Sequence, residues 1–133
     1  MSITTAPDLD RCRRHLATLR IDQLVQWDVL AFLHRHGTSL ASAQQIALLL
    51  GYSRAAVGEA LDSLASTNLL QRSRNSRGVR LYRFAIADHS RQLALDELLE
   101  LAGQRPGRLQ LIAHLRQTAT GKDRRERGGL HLA

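Results

Sequence analysis

Ser42-Ala-Gln-Gln-Ile-Ala-Leu-Leu-Leu-Gly-Tyr-Ser53 holds a helix start, a helix stop and a second start. Ser42 and Gln45 have the spacing of a capping box, in which the serine side chain accepts from the third helical N–H and the glutamine reaches back to the cap. Gly51 suits the left-handed residue that ends a helix. Ser53 is a natural N-cap for the second helix, and Tyr52 and Val57 fall at the two positions of a hydrophobic staple. That helix turns Val57, Ala60, Leu61 and Leu64 inward, and Asn68, which tolerates a left-handed backbone, takes its stop position. The stretch predicts a helix, a tight turn and a second helix of set direction.

Beyond Asn68 the periodicity changes from helical to alternating. Leu69–Arg74 and Val79–Ile86 read as two strands joined by Asn75-Ser-Arg-Gly78, whose Asn and Gly form turns. Alternation puts Tyr82, Phe84 and Ile86 on one face, with Leu81 and Arg83 on the other. Arg72, Arg74, Arg77, Arg80 and Arg83 crowd this hairpin, and no acid occurs from Asn68 to Ala87. Such a cluster repels itself unless a polyanion lies nearby, and each phosphate contact would release counterions. The plainer alternative is a solvated strand face.

The flanks read as helices. Asp8 is a plausible N-cap for a first helix with Leu9, Cys12, Leu16 and Leu19 on one face. A second helix, about 22–36, is apolar over most of its circumference and predicts burial on several sides; Gly37 ends it. Thr38-Ser39-Leu40 is a bend or a minimal strand. From Asp88 a helix runs to about Ala102 with Leu95, Leu98, Leu99 and Ala102 in a stripe, and Gly103 stops it. Pro106 then starts another, with Leu109, Ile112, Ala113 and Leu115 continuing to about Thr118. The expected layout is a loose leader at 1–7, one domain at 8–119 and a disordered charged tail at 120–133.

The totals bound the function. A chain of 133 residues is one domain, and no stretch approaches the roughly 18 apolar residues of a membrane span. The N-terminus lacks the layout of a signal peptide, and the single cysteine fits a reducing compartment, so a cytoplasmic location is expected. Of the 19 basic residues behind the net charge of +7, all but Lys122 are arginine, which suits phosphate but also fits GC-rich codon usage. The six histidines are scattered without a four-ligand metal set. There is no phosphate loop and no nucleophile with an evident base. Neither cofactor nor catalysis is expected. Trp27 reads as core or interface packing.

Gln45–Ser53, then Ala56-Val-x-x-Ala-Leu-x-x-Leu64, then Leu69-Leu-Gln-Arg72, resembles the winged helix-turn-helix of bacterial transcriptional regulators, and Gln26-Trp27-x-Val29-Leu30 resembles the MarR group in particular. The fold class implied is mainly α with a small β-hairpin wing, flanked by N- and C-terminal dimerisation helices. The resemblance implies a homodimer on double-stranded DNA, with one helix per subunit in a major groove and the wing on the backbone and minor groove. By position, Ser53 and Arg54 open the recognition helix, and Ala55, Gly58, Glu59 and Asp62 face outward. The wing contributes Arg72, Arg74, Arg77, Arg80 and Arg83. Two outward acids oppose phosphate, although Glu59 could accept from cytosine's amino group. The competing reading is a winged-helix module that binds an unknown protein partner through Glu59, Asp62 and the leucine-rich helices. Cys12, flanked by Arg11, Arg13 and Arg14, is either a peroxide-sensing thiol or, on its apolar stripe, a buried inert one.

Overall fold

The computed structural model describes residues 5–37 and 39–117. Among them are six helices and one two-stranded antiparallel hairpin. They are α1 (Thr5–Leu19), α2 (Leu24–Arg35), α3 (Ala43–Leu50), α4 (Arg54–Ser66), β1 (Leu70–Arg74), β2 (Arg80–Phe84), α5 (His89–Ala102) and α6 (residues 105–117). The chain divides into two compact units, one of residues 25–93 and the other of the described residues on either side.

In the first unit α2 is buried through Gln26, Trp27, Val29, Leu30, Phe32 and Leu33, which lie on most sides of the helix. Its own chain supplies that cover, so the near-continuous apolar run needs no second subunit. Gln26 is the buried polar residue here, and its side-chain amide donates to Ser63 Oγ at 3.3 Å. The α4 face expected to turn inward does so: Val57, Ala60, Leu61 and Leu64 are buried. Trp27 belongs to the same core rather than to a surface platform.

The ends of α3 and α4 obey the capping signals. Ser42 Oγ accepts from Gln45 N at 3.2 Å while Gln45 Oε1 accepts from Ser42 N at 3.0 Å, completing the capping box. Gly51 (φ 78°) and Asn68 (φ 63°) hold the left-handed positions that end α3 and α4. At the second of these, Leu69 N donates to Leu64 O and Asn68 N to Ala65 O, a Schellman end that drives Leu69 into the core.

The hairpin is shorter than expected, and its register pairs Leu70 with Phe84, Arg72 with Tyr82 and Arg74 with Arg80. Leu69, Val79, Ala85 and Ile86 fall outside the strands. A third backbone segment joins it, because Ala41 N donates to Tyr82 O at 3.0 Å and Tyr82 N to Ala41 O at 2.8 Å. The minimal strand lies at Ala41, one residue past the expected Thr38–Leu40; Thr38 itself is outside the described residues.

The second unit builds its core from Cys12, Leu16, Leu19, Ile21, Ala94, Leu95, Leu98, Leu111 and Leu115. Two expectations change here, and one helix end appears that the sequence left unmarked. First, α1 begins at Thr5, so residues 5–7 are helical and Asp8 lies inside the helix rather than capping it. Pro7 permits this, because a first-turn N–H has no intrahelical partner to lose. Second, α1 ends in a Schellman motif at Arg20 (φ 57°), which the sequence does not mark with Gly or Asn. Third, α6 buries Leu111 and Leu115, while Leu109 stands 58% exposed and Ala113 is exposed. Gly107 gives the reason. A Cβ there would overlap the Leu101 carbonyl, so the backbone of α6 meets α5 at residue 107, and residues 111 and 115 lie on the same face at four-residue spacing. The expected charged tail at 120–133 lies outside the described residues.

Candidate nucleic-acid interface

Within residues 25–93, α3 packs on α4 and α4 on β1, so the second helix of the motif and the hairpin share one side. Ser53 caps α4, its Oγ accepting from Ala56 N at 3.1 Å. The angle between turn and scaffold is held by Tyr52, whose hydroxyl donates to Asp28 Oδ2 on α2. The outward face of α4 is as its periodicity implies: Arg54, Ala55, Glu59 and Asp62 are exposed and Gly58 is half-buried. A cleft of about 460 Å³ opens between the start of α3, α4 and the wing tip, lined by Ser42, Arg54, Gly58, Asp62, Arg77 and Arg80 among others.

Asp62 departs from the sequence reading. It is exposed, but it does not stand as a free acid against phosphate. Its Oδ1 accepts from the Tyr82 hydroxyl at 3.2 Å and lies 3.5 Å from Arg72 Nη1 and 3.8 Å from Arg80 Nη1. The hairpin without acids thus has its counter-charge supplied from α4. Sequence reasoning missed this because the partners lie ten to twenty residues away; the signal was Arg72, Arg80 and Tyr82 recurring on adjacent strands. Each ion pair is about half exposed, so each stabilises by less than about 1 kcal/mol, and their joint effect is orientation of the wing on α4.

The remaining wing arginines divide cleanly. Arg83 donates to Gln71 Oε1 across the hairpin. Arg74 and Arg77 are exposed and, like Arg54, have no side-chain partner among the described residues. The wing tip carrying Arg77 is a hydrogen-bonded turn. Asn75 Oδ1 accepts from Arg77 N at 2.9 Å and Val79 N at 3.0 Å, and Gly78 takes a left-handed backbone (φ 79°). At the other end of the hairpin, the His34 ring meets Phe84 edge-on at 5.0 Å. The close of α4 is clasped by Arg91, which donates to the Thr67 carbonyl and pairs with Asp88 at 3.3 Å.

Other candidates carry less. Cys12 is 2% exposed, and burial pushes its thiol up, against a smaller opposing effect of Arg13. The thiolate that peroxide chemistry requires is therefore disfavoured. Among the described residues no group of three or more His, Cys, Asp or Glu could hold a metal, and no helix is long and apolar enough to cross a membrane. An open apolar groove of about 430 Å³ runs between α2 and α3, bordered by Phe32, Leu40, Leu48 and Leu49. Leu48 and Leu49 are 79% and 70% exposed there.

Comparison with known proteins bears on the fold. Residues 22–80 match the model of the MarR family. No curated protein sequence matches the chain. Among solved structures, the YusO protein from Bacillus subtilis superposes with a TM-score of 0.54 at 19% identity, covering 97% of this chain and 82% of that one. A MarR family transcriptional regulator from Silicibacter pomeroyi aligns at 13% identity with a TM-score of 0.49, covering 90% and 68%.

Proposed function

Because this chain has the MarR-like winged-helix fold of transcriptional regulators, we propose that it is a cytoplasmic regulator that binds double-stranded DNA as a homodimer. Helix α4 enters the major groove, and the Arg-rich wing lies on the adjacent backbone and minor groove. The observation that carries the reading is the set of unpaired cations around one cleft: Arg54 and Arg77 line it and Arg74 stands at the nearby strand end, while the acid in their midst is committed to Arg72 and Arg80. Arg54 and the cap Ser53 open the helix, where backbone N–H groups also favour phosphate. Ala55 and Gly58 leave the backbone open to close approach. The leucine-rich α5 and α6, with Leu93 and Leu109 exposed, supply apolar surface for a second subunit.

The alternative, a protein-binding module that uses an acidic α4 face, is weakened by the same pairing. With Asp62 held by the hairpin, that face keeps a single free carboxylate. The test is duplex binding by fluorescence anisotropy for the wild type and the double reversal Arg74→Glu/Arg77→Glu. Loss of binding in the variant, with an unchanged melting temperature, is expected. Equal binding by both proteins would refute the role of the wing.

A further inference from the structure

Beyond the DNA-binding reading, on which it rests, we infer that Glu59 is the specificity-determining residue of α4 and that it accepts a hydrogen bond from the exocyclic amino group of a cytosine in the major groove. Three observations converge. Asp62 is satisfied by Arg72, Arg80 and Tyr82, whereas Glu59 is exposed and has no partner among the described residues. It is the free carboxylate of the face that carries Arg54, Ala55 and Gly58. Beside it, Gly58 lacks a side chain for no internal reason: its φ is not left-handed, and a Cβ there would meet no atom within 4 Å. A glycine inside a helix is unfavourable by itself, so its use at an open surface fits a neighbour that must come close.

The first two turns of α4 therefore offer two long exposed side chains, Arg54 and Glu59, which flank the strip of Ala55 and Gly58 from either side, about 140° apart around the helix and about 7.5 Å apart along it. A carboxylate only accepts hydrogen bonds. In the major groove the donors are the amino groups of cytosine and adenine, and adenine sets an acceptor nitrogen beside its amino group while cytosine does not. Guanine and thymine present acceptors at the corresponding edge. Cytosine is thus the base that a lone glutamate tolerates best. The same charge repels phosphate, which lowers binding to every duplex lacking the cytosine and so sharpens discrimination.

The experiment is selection from a randomised duplex pool with the full-length chain, comparing wild type, Glu59→Ala and Glu59→Gln. Because the position is exposed and unpaired, both variants keep the fold, which melting curves verify. The wild type is expected to require a C·G pair at one position of each half-site, by about 5- to 150-fold over other pairs. Glu59→Ala should erase that preference while binding unselected duplex more tightly. Glu59→Gln should move it towards A·T. An unchanged preference in Glu59→Ala, with duplex binding intact, would overturn the inference alone. Absence of duplex binding by the wild type would instead overturn the DNA-binding reading and the inference with it.

Discussion

Gly58 and Arg20 are both residues whose backbone setting disagrees with their type, and each makes a prediction. Gly58 lies in a helix with open space where its side chain would be. Gly58→Ala should raise stability by about 0.5–1 kcal/mol, seen as a higher melting temperature, and yet weaken duplex binding. A gain in stability with no loss of binding would mean that nothing approaches this face. Arg20 adopts φ 57° at the end of α1, a conformation that costs a side-chain-bearing residue about 1 kcal/mol. Arg20→Gly should recover up to about that amount in chemical denaturation, since glycine carries no steric penalty there. The residues at the turn were legible in advance because capping is local: Ser42 bonds to Gln45, and Ser53 to Ala56, within one turn of helix. The role of Asp62 was not legible, because its partners are brought to it by the path of the hairpin.

Among the elements, α6 shows most clearly where periodicity stops being decisive. Leu109, Leu111, Ile112 and Leu115 allow two different apolar stripes, and the one that is buried, Leu111 with Leu115, is chosen by the contact of Gly107 with Leu101. Gly107→Ala should therefore destabilise the protein by about 1–3 kcal/mol through overpacking, measurable as an earlier denaturation midpoint. The same helix carries a pH dependence. Burial, with a smaller effect of Arg13, holds His114 below its ordinary value of 6.5. The unfolded chain then binds that proton first, so stability is whole above about pH 6.5 and declines as pH falls through the folded value. His114→Gln should flatten this part of the stability profile. Glu97, held low chiefly by its hydrogen bond from His15, and Asp88, held low by Ser90, add losses only at the more acid pH of carboxylates. By contrast α2, α3, α4 and the hairpin were readable from pattern: α2 by its near-continuous apolar run, α4 by its single apolar face, and α3 and the hairpin by the cap and turn residues that bound them.

For the whole molecule, the question is how an excess of positive charge is used. The net charge of +7 says little by itself. Its disposition says more, because the structure commits Arg72, Arg80 and Arg83 to internal partners and leaves Arg54, Arg74 and Arg77 open beside α4. Three such contacts per subunit, doubled in a dimer, predict a slope of log K against log salt of about −5, and half of that for a monomer. The decisive measurement is this slope, obtained by titrating the full-length protein against a duplex over a range of salt concentrations. A steep negative slope that flattens to about −2 in Arg74→Glu/Arg77→Glu, where only Arg54 of the three remains, is the expected result. Binding that is absent or indifferent to salt would contradict a winged helix that acts on DNA.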